Sequence, residues 1–137
     1  MRSSTFREYW TIAFWTLFLC WLSVAILAMD HFHGGVLTNY VADLTFPPWF
    51  YIYIRGLTRE KNTIPRLLFF GTWFGRSPER ASISIFIVGV LTELKTYYWP
   101  GGLITGTYDP FDILANAAGL AACYFFDKLI LNQYNTK

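Results

Sequence analysis

Between Tyr9 and Met29 no residue carries a charge. A helix over this stretch rises 1.5 Å per residue and is about 30 Å long, the thickness of a bilayer's hydrocarbon core. Trp10 suits the aromatic belt where such a helix enters the membrane. The run is too long for the apolar region of a cleavable signal, and no small-residue cleavage site follows it, so the expectation is a retained span. Composition agrees: the 137-residue chain is 54% hydrophobic, 20% aromatic and 15% charged, whereas soluble domains carry roughly 25% charge. The length suits a single domain over 1–137.

Three further spans are expected. Asp30-His31-Phe32-His33-Gly34-Gly35 breaks the first run with a turn signal. A second apolar stretch, about 36–54, contains Asp43 and the pair Pro47-Pro48, where a kink is expected because proline removes a backbone donor. Ser77-Pro78 reads as the cap and first position of a third helix, spanning about 81–99. Pro100-Gly101-Gly102 stops it. Asp109-Pro110 opens a fourth, about 110–131, on which Ala115, Ala118, Gly119 and Ala122 form a small-residue face. Between the second and third spans, Leu67 to Phe74 is apolar but too short to cross a bilayer, and cations flank it. A segment over about 64–75 lying in the membrane interface is the expected form.

Charge sets the orientation. With four spans, one side holds Arg2, Arg7, Arg55, Arg59, Lys61, Arg66, Arg76, Arg80, Lys128 and Lys137, ten of the eleven cations, and the other holds Lys95. The positive-inside rule then puts both termini in the cytoplasm, as in a bacterial inner membrane.

The outer level collects the chemistry. Asp43 near the start of the second span, Glu93 and Lys95 at the end of the third, and Asp109 and Asp112 at the start of the fourth share one level by alternation of direction. Asp112, Asn116 and Gly119 share a helix face, with Asn116 one turn deeper. Each has a plainer reading as well. Asp109 fits an N-cap and Asp112 a first-turn acid. Glu93 and Lys95 fit solvated interfacial charges, and Asn116 an interhelical hydrogen bond. Asp43 lies roughly 10 Å inside if its span starts at Val36, where an ionisable group is a functional candidate. If the span starts near Asp43 it is a cap. Such a cluster could bind a cation, move protons or hydrogen-bond a polar lipid headgroup.

Other chemistry is absent from the sequence. His31 and His33 are two apart and do not share a helix face, so one chain cannot build a bis-histidine haem site. No phosphate loop, dinucleotide fingerprint or nucleophile motif is present. Cys20 and Cys123 lie in apolar runs and read as small core residues. Neither a metal nor another cofactor is expected, a net charge of +2 gives no field for nucleic acid, and enzymatic activity is not the favoured expectation.

The stretch from Glu93 through Gly119, with Glu93, Asp112, Asn116 and Gly119 at matching spacing, resembles the C-terminal signature of VanZ-like membrane proteins. Gly106-Thr107-Tyr108-Asp109 stands where that family's loop usually carries an arginine. The resemblance covers about a fifth of the chain. It implies a four-helix envelope protein, linked in some members to glycopeptide tolerance.

The expected fold is therefore all-α, a membrane-spanning four-helix bundle with one interfacial segment. The first functional expectation is an envelope protein recognising a polar lipid or cell-wall-related ligand. The second is an accessory subunit of a larger membrane complex, such as a respiratory or photosynthetic one, packing through aromatic helix surfaces. The third, a small transporter or membrane enzyme using the acids, ranks last because so short a chain leaves little room for a gated pathway.

Overall fold

The computed structural model describes residues 2–29, 36–57, 73–98 and 109–135. Within them the chain forms four α-helices, α1 (Arg2–Met29), α2 (Val36–Arg55), α3 (Pro78–Tyr98) and α4 (Pro110–Asn135), with a 3-10 turn at Phe74–Arg76 before α3. Among the described residues there is no strand. The all-helical expectation holds. Two stretches, Thr5–Leu27 in α1 and Pro110–Ile130 in α4, are long and apolar enough to cross a membrane.

The helix ends follow local chemistry. The Ser77 hydroxyl accepts the Arg80 amide at 3.2 Å and Pro78 takes the first helical position, so the expected cap of α3 forms. Asp109 caps α4 by accepting the Phe111 amide at 2.9 Å. At the end of α2, Gly56 adopts φ 62°, its amide donates to Tyr53 O, and the Leu57 amide donates to Ile52 O. This paired closure ends the helix at Arg55 and favours glycine in the left-handed position. Several hydroxyls inside the apolar helices bond within their own helix, as Thr11 does to Arg7 O, Ser23 to Leu19 O and Thr45 to Val41 O. These bonds spare the apolar faces unpaired donors.

Helices consecutive in the chain alternate in direction. Phe14 and Phe18 of α1 meet Trp49 of α2, and Trp21 meets Phe46, so α1 and α2 run antiparallel. Tyr40 of α2 reaches Asp109 and Tyr51 reaches Asp127, so α2 and α4 run parallel. Glu79 of α3 meets Lys128 of α4, while Gly89 faces Asn116, so α3 runs opposite to α4. The centre is α2, which packs on all three others; α1 packs on α2 alone. The described helices thus form an open array rather than a closed bundle. The α1–α2 seam is aromatic, with Phe18 and Trp21 edge-on or tilted against Trp49 at centroid distances of 5.2 and 5.3 Å.

Pro47 and Pro48 both lie within α2, which continues through them. Pro48 has no N–H to offer the Leu44 carbonyl one turn earlier. That carbonyl faces Gly119 of α4, where a Cβ would stand 2.5 Å from Leu44 O and 3.0 Å from Pro48 Cγ. Glycine at 119 therefore lets α4 close on the altered turn of α2. The buried core beside it comprises Tyr51, Ile54, Ala81, Ile85, Leu120 and Cys123.

One expectation is corrected. Cys20 is exposed and only Cys123 is buried, because α1 turns a single face to α2 and Cys20 lies off it. The expected interfacial segment falls mostly outside the described residues. So do His31, His33, the two glycine-rich turns and Arg59, Lys61 and Arg66. Of that segment's end, residues 74–76 form the 3-10 turn.

Candidate functional site

α2 begins at Val36, so Asp43 is inside the helix, roughly 10 Å from its start, and does not cap it. Asp43 and Asp112 face each other from α2 and α4, close enough to interact electrostatically. Glu93 joins from α3, close enough to both to interact electrostatically. Asn116 is 9% exposed, donates from its side-chain amide to Asp112 O at 3.0 Å and lies over Gly89. Three helices thus bring Asp43, Glu93, Asp112 and Asn116 together. Two buried oxygens of the cluster, Glu93 Oε2 and Asp112 Oδ1, have no hydrogen-bond partner among the described residues.

The remaining two expected members stand apart. Asp109 accepts the Tyr40 hydroxyl at 2.7 Å on one oxygen and the Phe111 amide on the other. Those bonds, the Tyr40 hydroxyl first, hold its carboxyl below the usual aspartate range. Both oxygens are engaged, so Asp109 caps α4 and tethers it to α2. Lys95 is exposed, and among the described residues no ion pair joins it to the acids. Among the described residues no group of three or more His, Cys, Asp or Glu side chains could hold a metal ion.

A second polar cluster lies at the opposite end of the array. Asp127 of α4 is 2% exposed. Its Oδ2 accepts Arg55 Nε and the Tyr51 hydroxyl, each at 2.7 Å. Arg55 Nη1 donates to Gly75 O at 2.8 Å. The cluster fastens α2, α4 and the turn before α3 to one another. Gly75 sits so close to the Ile54 carbonyl that no side chain fits between them. Sequence reasoning did not single out Asp127, whose partners come from α2, far away in the chain. The available signal was Arg55, which alternation of direction places at the same level. Near it but outward, Lys128 contacts Glu79 at 3.0 Å and Tyr124 at 2.7 Å on an exposed face.

No family model matches the chain, and neither does any curated protein or solved structure.

Proposed function

We propose that the chain is a four-span membrane protein with both termini in the cytoplasm, and that the Asp43, Glu93, Asp112 and Asn116 cluster at its outer level recognises a polar ligand without transforming it. The apolar stretch of α1 supports the membrane part. Only 6% of it is buried within the protein, and Ile12, Trp15, Leu19 and Ile26 are exposed. In water that surface would be a large unsatisfied apolar face; in lipid it is the normal outside of a span. The alternating directions of α1 to α4, and the level shared by Arg7, Arg55, Arg76, Arg80 and Lys128 among the described residues, fit this topology.

The observation that carries the ligand reading is the pair of buried oxygens, Glu93 Oε2 and Asp112 Oδ1, that have no partner among the described residues. Acceptors without donors suit a ligand that brings hydrogen-bond donors, an amine- or hydroxyl-bearing headgroup or cell-wall precursor. The reading keeps the likeness to VanZ-like proteins as support, since Glu93, Asp112 and Asn116, which carry it, meet in space.

The test is made in a glycopeptide-sensitive bacterial host. Wild-type chain in the membrane raises glycopeptide tolerance, and Asp112→Ala or Asn116→Ala at equal membrane abundance does not. Glu79→Gln, at the other end, retains the effect. Equal tolerance in all variants, or none with the wild type, overturns the ligand reading. Labelling that finds the two termini on opposite faces overturns the topology.

A further inference from the structure

Because α1 touches only α2 among the described helices, a groove of about 640 Å³ is left between α1 and α4, with α2 as its floor. It runs from Phe6 and Ile130 at one end to Leu17 and Ala118 at the other, and its lining is almost wholly apolar. Thr45, the hydroxyl on its floor, is already bonded to Val41 O. We infer that this groove seats one acyl chain of an anionic phospholipid from the cytoplasmic leaflet; the inference rests on the membrane topology proposed above.

The depth of the groove selects the occupant. From Phe6 to Leu17 the helix rises about 16 Å at 1.5 Å per residue. That is close to half of the roughly 30 Å hydrocarbon core, one leaflet. A helix from a second copy crosses the whole core and would call for a groove running its full length. A chain entering from one surface ends midway, as this groove does. The open end lies at the level of the N-terminus of α1 and the C-terminal end of α4, the cytoplasmic level.

The charge at that end selects the headgroup. Phe6, Tyr9, Ala13 and Leu17 follow one another along the groove side of α1. Arg7 is exposed in the same turn as Phe6. Each cation near the cytoplasmic surface favours anionic lipid by about 1 kcal/mol, roughly a fivefold preference. The small side chains of Ala13, Ala118 and Ala122 leave the width that a methylene chain fills.

The experiment uses the full chain in nanodiscs and phosphatidylglycerol or phosphatidylcholine carrying a spin label on one acyl chain. The expected result is a motionally restricted component beyond that of ordinary boundary lipid, larger for phosphatidylglycerol. Ala122→Phe fills the groove from α4 and Ala13→Phe from α1, and each removes that component, while Leu114→Phe, on exposed surface outside it, leaves it. Arg7→Gln lowers the phosphatidylglycerol preference by about fivefold and keeps the restricted component. A nanodisc-embedded wild type without a restricted component, or groove variants that retain it, overturns the acyl-chain assignment alone. A chain that does not enter nanodiscs overturns the membrane reading instead. Cross-linking of Ala122→Cys between two copies, in place of lipid restriction, assigns the groove to a second copy and overturns the inference.

Discussion

Arg55 and Asp127 meet at 2.7 Å although 72 residues separate them in the chain, and both side chains are almost fully enclosed, 9% and 3% exposed. Breaking a buried pair leaves one charge without compensation, whereas replacing both by apolar groups removes the burden. Asp127→Ala is therefore expected to cost about 3–5 kcal/mol, and Arg55→Met with Asp127→Leu to recover most of it. Tyr51→Phe removes one hydrogen bond to a charged acceptor and costs about 1.5–3 kcal/mol. Thermal unfolding in mild detergent, followed by tryptophan fluorescence, checks all three. Equal losses in the single and double variants would show that the pair is not what couples α2 to α4.

Two glycines facing neighbouring helices are expected to respond with opposite sign. At Gly119 a Cβ meets the Leu44 carbonyl and Pro48 ring at 2.5–3.2 Å, so Gly119→Ala must push α4 from α2 and costs about 1–3 kcal/mol. At Gly89 a Cβ meets only the Asn116 side chain, at 3.6 Å, an ordinary contact. Gly89→Ala gains about 0.4–1 kcal/mol by restricting the unfolded chain. The same unfolding measurement compares them. A destabilised Gly89→Ala would mean that Asn116 needs more room than ordinary packing leaves.

Asp109 gives a pH dependence whose sign follows from its bonds. The Tyr40 hydroxyl and Phe111 amide favour the carboxylate, so its pKa in the folded chain is below the unfolded value. A depressed acid contributes stability above the unfolded aspartate value of about 3.9 and loses it as pH falls through the lower folded value. Stability should therefore decline on acidification below the usual carboxylate range and be level above it as far as this group is concerned. Asp109→Asn keeps a capping oxygen but flattens its share of that decline. A pH series of unfolding midpoints for the two proteins supplies the comparison.

The two thiols should separate by access. Cys20 is exposed on α1 and Cys123 is buried beside Pro48, with its sulfur 4.0 Å from Pro48 O. In folded, detergent-solubilised protein a small maleimide should label one cysteine, and Cys20→Ala should label only after denaturation. Rapid labelling of Cys123 in the folded chain would mean that α2 and α4 part readily.

The helices were legible in the sequence wherever charge and capping chemistry marked them. Tyr9 to Met29 has no charge, and Ser77-Pro78 and Asp109-Pro110 state where α3 and α4 begin. The meeting of Asp43 with Asp112 was legible from direction alone, since alternating helices put both at one level. The depth of Asp43 was not, because both a cap and an interior position satisfied its apolar flanks. Lys95 was matched to the acids by level, but level says nothing of which face a residue occupies, and it lies exposed. Asp127 escaped because its meaning depends on Arg55 and Gly75 across the fold. The openness of the array escaped for a related reason: an apolar helix face looks the same whether protein or lipid covers it.

The partners of α2 also impose an order in time. In the proposed topology α2 is synthesised with Asp43 and Arg55 before residues 109–135 exist, yet each takes its partner from α4. During that interval the nascent second helix holds two ionisable groups whose carboxylate partners on α4, Asp112 and Asp127, are not yet made. Its residence in the insertion machinery, or close to headgroups and water, must last until the final helix arrives. α1 makes no such demand: its uncharged stretch can settle in lipid as soon as it emerges, held afterwards by the aromatic rings along one seam.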